Sequence, residues 1–197
     1  MARKILLTLT LLSSVSLVSL AREERPLWLR YPAISPDGTK VAFTYQGDLY
    51  TVPTSGGDAL RLTSGSAYEC HPVWSPDGKQ IAFTSDRNSS GTNIYIIPAT
   101  GGEARQLTTH SGTEIPYAFT PDGAHVLFKA HIQDPAHSSL FPTSILTEVY
   151  RVSVRGGARP ELLLATPAEA ISMSADGRRI LYQDIKGFEN EWRKHHT

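Results

Sequence analysis

Ser75-Pro76-Asp77-Gly78-Lys79-Gln80-Ile81-Ala82-Phe83-Thr84, then Asn93-Ile94-Tyr95-Ile96-Ile97-Pro98 and the pair Gly101-Gly102, is the stretch whose reading decides the fold. Its turn tetrapeptide recurs at Ser35-Pro36-Asp37-Gly38 and Thr120-Pro121-Asp122-Gly123, and in degenerate form at Ser174-Ala175-Asp176-Gly177. The interval between successive turn aspartates widens along the chain, from Asp37 to Asp77, Asp77 to Asp122 and Asp122 to Asp176. Proline pre-sets φ at the second turn position, aspartate bonds back to nearby N–H groups, and glycine accepts positive φ. Each tetrapeptide therefore predicts a tight hairpin, and the four aspartates read as turn formers rather than as chemistry.

Around the turns the pattern repeats in the same order. A strand precedes each turn (31–35, 71–75, 116–120, 170–174), and an apolar strand follows it, as in Lys40-Val41-Ala42-Phe43-Thr44. A third strand carries Tyr50, Tyr95 or Tyr150, a glycine pair ends it, and a fourth follows at 59–63, 104–108 and 161–164. The widening falls between turn Asp and strand Tyr: the step from Asp122 to Tyr150 is more than twice that from Asp37 to Tyr50, with Asp77 to Tyr95 between them. From that Tyr to the next turn Asp the interval is constant to within a single position (Tyr50 to Asp77, Tyr95 to Asp122, Tyr150 to Asp176). Length thus varies in one connection only, as expected of units that pack on their neighbours. Four short strands in roughly 40 to 45 residues is the period of a β-propeller blade. A parallel β-helix needs a much shorter repeat, and a β-sandwich does not repeat its turn tetrapeptide at equivalent places.

The fold class expected is all-β, an incomplete β-propeller of four-stranded antiparallel blades. Blades fall at 31–63, 71–108 and 116–165, with a half blade at 169–184, so about three and a half are present. Propellers close with about four to eight blades. The expectation is that this chain ends within a blade, as a truncated or fragmentary product would.

Positions 1–21 read as a cleaved export signal: Arg3 and Lys4 form a basic start, 5–20 an apolar run diluted by Ser and Thr, and Ser19-Leu20-Ala21 a cleavage site. The propeller segment is then 22–197, in a periplasmic or secreted setting, with no stable membrane span after cleavage. The whole chain has 197 residues with 19 Lys+Arg against 19 Asp+Glu. Such neutrality excludes a strong field for a phosphate backbone, so nucleic acid is not an expected partner. A lone cysteine, Cys70, excludes an intramolecular disulfide.

The segment Tyr31 to Gly57 resembles the propeller repeats of TolB and of tricorn-type peptidases. The end of the chain, Ile180-Leu181-Tyr182-Gln183-Asp184 through Trp192-Arg193-Lys194-His195-His196-Thr197, is similar to a signature in the N-terminal propeller of secreted tricorn-like serine peptidases. That resemblance implies serine-type proteolysis by a catalytic core that follows a PDZ-like module, neither lying within these residues. The chain alone is expected to be inactive, serving to gate or guide peptides, and peptides or proteins are expected on its loop face. A non-enzymatic TolB-like periplasmic binding propeller is the alternative. The propeller of a prolyl-oligopeptidase-like enzyme is a third reading, and downstream coding sequence separates them.

No Gly-x-Ser-x-Gly, His-Glu-x-x-His, phosphate-cradling glycine loop or EF-hand loop occurs in the sequence. No catalytic, cofactor-binding or metal residues are assigned, and no cofactor is expected. Cys70 and His71 look like half of a thiol dyad, but strand neighbours point to opposite faces. His131 and His137, in the insertion 131–146, lack acidic or thiol partners at ligand spacing. Arg193-Lys194-His195-His196 reads as a solvated turn. Asn88-Ser89-Ser90 matches a glycosylation sequon, relevant only in a eukaryotic secretory route. The loops at 45–47, 85–92 and 130–144 carry the length variation and are the expected contact surface.

Overall fold

The structure, a computed structural model, describes residues 28–88, 91–130, 147–164 and 168–184. These residues contain fourteen strands and no helix. The first sheet is β1 (Arg30–Ile34), β2 (Lys40–Tyr45), β3 (Asp48–Pro53) and β4 (Leu60–Arg61); the second is β5 (Glu69–Trp74), β6 (Gln80–Ser85), β7 (Asn93–Pro98) and β8 (Arg105–Gln106). The third is β9 (Glu114–Phe119), β10 (His125–Ala130), β11 (Glu148–Ser153) and β12 (Glu161–Leu164), and β13 (Ala168–Met173) pairs with β14 (Ile180–Asp184). Neighbours in sequence pair antiparallel within each sheet. Three four-stranded sheets and one two-stranded sheet make a partial β-propeller, as the repeat predicts.

The turns show which residue does what. Ser35 Oγ donates to Asp37 Oδ1 at 2.6 Å, that oxygen also accepts Thr39 N–H at 3.0 Å, and Lys40 N–H donates back to Ser35 Oγ at 2.9 Å. Gly38 takes φ 71°, in the left-handed region where Cβ is costly. The same contacts recur around Asp77, Asp122 and Asp176. The last of these turns has Ala175 in place of proline and closes the same way, so the hydroxyl, the carboxylate and the glycine suffice. Proline has a second task between units. A Cβ placed on Gly78 would lie 3.9 Å from Pro36 Cδ, one on Gly123 3.8 Å from Pro76 Cδ, and one on Gly177 3.6 Å from Pro121 Cδ. Successive turns therefore stack proline against glycine.

The sheets bury their faces against each other rather than within themselves. Ala42, Leu49 and Leu62 of the first unit pack with Trp74, Ile81, Phe83, Tyr95 and Ile97 of the second. The opposite face of the second unit, through Ala82, Ile94 and Ile96, packs with Phe119, Val126, Phe128, Tyr150 and Val152 of the third. Val149 with Ala168 and Ile171 joins the third to the fourth. The recurrent tyrosines have a structural reason: Tyr50, Tyr95 and Tyr150 each pair across the ladder with a phenylalanine, at centroid distances of 5.8, 5.9 and 5.8 Å.

Each first strand is also pinned to the preceding unit. The N–H groups of Glu69, Glu114 and Ala168 donate to the carbonyls of Gly47, Thr92 and Thr147 at 2.8, 3.0 and 3.1 Å. Trp74 Nε1–H adds a bond to Ala33 O at 2.9 Å.

Two details differ from the sequence reading. First strands begin one or two residues earlier than expected, and three carry a bulge with non-glycine residues at positive φ: Tyr31 at 52°, His71 at 53° and Ala170 at 50°. At the equivalent place in the third unit stands Pro116, whose ring forbids that conformation. The outer strands β4 and β8 are shorter than expected because side-chain oxygens replace their ladder: Leu49 N–H donates to Thr63 Oγ1 and Ile94 N–H to Thr108 Oγ1, both at 2.9 Å.

Phe83 is fully buried between two sheets, whereas Leu181 in β14 is 77% exposed. Phe83→Ala is expected to cost about 3–5 kcal/mol and Leu181→Ala less than about 0.5 kcal/mol by urea denaturation, and similar losses would contradict the sandwiched core. The turn hydrogen bonds hold the Asp37 carboxyl down, from 3.8 to about 2, with Ser35 the largest contributor. A depressed carboxyl stabilises the fold above its unfolded value and loses that contribution as pH falls through the folded one. Stability should therefore drop between pH 3.8 and about 2, less steeply in Asp37→Asn; an unchanged slope in the variant would count against the turn's role.

Candidate functional site

Antiparallel pairing puts the aspartate-glycine turns at one end of every sheet, joined in the three four-stranded sheets by the glycine pairs. At the other end lie the β2–β3 turn, the described part of the β6–β7 loop, the adjoining ends of β10 and β11, and the crossings into the second and third units. The large differences in chain length fall between the second and third strands of a unit. The β2–β3 turn is the minimal Gln46-Gly47 pair, both at positive φ, at 51° and 91°. The β6–β7 loop is longer and closes on the next crossing, where Gly91 leaves no room for a side chain: a Cβ would sit 2.5 Å from Ser111 O.

Between the first two units this end opens into a groove of about 770 Å³. Ser64, Gly65, Ser66 and Ala67 of the crossing form one wall, Asp86, Arg87, Gly91 and Thr92 the other, with Glu69 between. Glu69 is 3% exposed. Its Oε1 accepts a bond from Arg87 Nη2, while Oε2 has no hydrogen-bond partner among the described residues. Arg87 Nε donates to Ser85 Oγ at 3.1 Å, and its guanidinium lies 4.5 Å from the centre of the Tyr95 ring. Asp86 Oδ1 accepts Tyr68 N–H at 2.7 Å, tying the loop to the crossing.

The same level of each neighbouring unit is polar as well. Asp48 pairs with Arg61 at 2.5 Å, and Arg61 Nε donates to Thr63 O at 2.8 Å. At equivalent positions the second unit has Asn93, Gln106 and Thr108, with Gln106 Nε2 donating to Thr108 O at 2.7 Å. Glu114, the counterpart of Glu69, is fully buried and accepts from Thr108 Oγ1 and Asn93 Nδ2 instead of from an arginine. Burial pushes its carboxyl up, against the pull of those hydrogen bonds. One junction thus holds a compensated charge and the next a hydrogen-bonded carboxyl without a cation.

Of the residues singled out in the sequence, Cys70 and His71 lie beside this groove. The pairing register skips between Cys70 and Val73, so simple alternation does not hold at this point. What disarms the thiol is its surroundings: burial, then the nearby Asp86 and Glu69, push Cys70 up to about 12. A nucleophilic cysteine needs the opposite shift. The His71 ring packs on Tyr31 with centroids 4.0 Å apart, and burial, then Lys129, lowers its pKa. Asn88 Nδ2 donates to Gln106 Oε1 at 2.6 Å. The side chains of His131, His137, Arg193, Lys194, His195 and His196 lie outside the described residues, as do Ser89 and Ser90.

Glu69, Asp86, Arg87 and Glu114 were not singled out from the sequence. A signal for two of them exists: Glu69 and Glu114 each stand six residues before the hydroxyl residue that opens a turn, Ser75 and Thr120. Among the described residues no group of three or more His, Cys, Asp and Glu side chains is placed to hold a metal ion, and no helix is long and apolar enough to cross a membrane.

Comparison with known proteins places this architecture. A 65-residue segment is 40% identical to tricorn protease homolog 1 of Streptomyces coelicolor, covering 33% of this chain and 6% of that protein. Another, of 47 residues, is 43% identical to the TolB homolog of Chlorobium chlorochromatii, covering 23% and 11%. These segments are thus a small part of the curated relatives' lengths. Among solved structures, TolB from Acinetobacter baumannii superposes with a TM-score of 0.61 at 24% identity, over 79% of this chain and 37% of that one. The tricorn protease gives the same TM-score and identity over 78% of this chain and 15% of that one. The family described as the tricorn protease N-terminal beta propeller domain matches residues 26–197, and this chain belongs to it.

Proposed function

We propose that this chain takes part in proteolysis as the substrate-guiding propeller of a tricorn-like serine peptidase, admitting or filtering peptides on their way to a catalytic core carried outside these residues. The observation that carries the reading is family membership over residues 26–197, joined to the large length differences between the second and third strands of successive units. A rigid scaffold with variable loops at one end is how propellers present a binding surface.

A second reading has its own support. The 43% identity to a TolB homolog over 47 residues favours a non-enzymatic propeller that docks a protein partner on the same loops. Either role is proposed to be played after export, with cleavage following Ala21, on the strength of the basic start and the apolar run up to Leu20.

Two measurements bear on these proposals. The purified chain should bind short unstructured peptides in fluorescence anisotropy and leave them uncleaved. Peptidase activity abolished by a serine-directed inhibitor would overturn the assignment of catalysis to a separate core, and capture of a folded partner without peptide binding would favour the TolB-like role. Expressed with its amino-terminal segment, Met1 to Ala21, in a Gram-negative host, the protein should be recovered outside the cytoplasm with Arg22 at its amino terminus; an uncleaved cytoplasmic product would refute export.

A further inference from the structure

We propose that the groove between the first two units is a subsite for a cationic nitrogen group of a peptide: an amino-terminal ammonium, or a lysine or arginine side chain. The proposal rests on the peptide-guiding reading and narrows it to one chemistry.

Three charged side chains border the groove: Glu69, Asp86 and Arg87. Arg87 is largely spent. Its Nη2 holds Glu69 Oε1, its Nε holds Ser85 Oγ, and its planar face is stacked on Tyr95. The guanidinium and one carboxylate cancel, which leaves the groove with one net negative charge. Two acceptors remain uncommitted. Glu69 Oε2 is buried with no donor among the described residues, a costly state for a carboxylate oxygen. Asp86 is exposed at the rim, with Oδ1 engaged by Tyr68 N–H and Oδ2 without a partner among the described residues. The small wall of Ser64, Gly65, Ser66 and Ala67 leaves space above them.

Other ligand classes fit less well. An anion would have to pull Arg87 away from Glu69 and would meet Asp86 at the entrance. A divalent metal ion needs more ligands than the two carboxylates supply. An ammonium or guanidinium instead brings several N–H donors, which matches one exposed carboxylate oxygen above one that is buried and unpartnered among the described residues. It pairs with Asp86 at the rim, and the unpartnered Glu69 Oε2 buried beneath adds its negative charge.

The test uses the chain of Met1 to Thr197 and three labelled peptides of one neutral sequence: free amino terminus, acetylated amino terminus, and acetylated with one internal lysine. Fluorescence anisotropy at low salt should give at least one cationic peptide about 10-fold tighter binding than the acetylated neutral one, and whichever cation gains identifies the source. Asp86→Asn, which keeps an oxygen for Tyr68 N–H, should remove that preference, while Asp58→Asn near the opposite end should leave it intact. Equal affinity for all three peptides overturns the subsite and leaves peptide guiding standing, as does a preference that survives Asp86→Asn. Failure of every peptide to bind overturns the subsite together with the reading beneath it.

Discussion

A four-stranded sheet has two faces and can cover neither by itself, and this constraint shapes the whole molecule. The second unit meets it fully: Ile81, Phe83 and Tyr95 face the first sheet while Ala82, Ile94 and Ile96 face the third. Such burial requires the sheets to be held at a fixed spacing and height. The bonds from Glu69, Glu114 and Ala168 N–H to Gly47, Thr92 and Thr147 O set that height at the loop end. Proline stacked on glycine sets it at the turn end. Where a neighbour is lacking among the described residues, the apolar side chains stand in the open, as Ile34 and Leu181 do.

Much of this is legible in the sequence because the interactions that repeat are local or fall at fixed offsets. A hydroxyl, an aspartate and a glycine within four residues make the turn on their own, and the Phe–Tyr pair lies across one hairpin. The bulges are illegible for the opposite reason. Tyr31 and His71 adopt a backbone that glycine usually marks, and nothing local announces it. Short outer strands were also hidden, since the hydroxyls of Thr63 and Thr108 take over a ladder position that a β-branched run would be expected to fill.

The loop 85–92, one wall of the groove, is marked in the sequence by its variable length, but the buried carboxylate at its base was out of reach for a related reason. Strands drawn from residues 71 and 116 leave Glu69 and Glu114 outside them, and the Glu69–Arg87 pair joins residues 18 apart across the whole β5–β6 hairpin. The pair recruits Tyr95, already fixed by Phe83, as the surface on which Arg87 lies. The groove is therefore built from core residues at its base and loop residues at its rim. That division lets loops vary in length without disturbing the stack beneath them.

If seating each sheet on its neighbour is what holds the structure together, amide hydrogen exchange should rank the units by the number of neighbours they have. Exchange resolved by residue should show the greatest protection in β6 and β7 and in the amides of Glu69 and Glu114, and the least in β14. Equal protection across all four units, or β14 as slow to exchange as β6, would contradict the account.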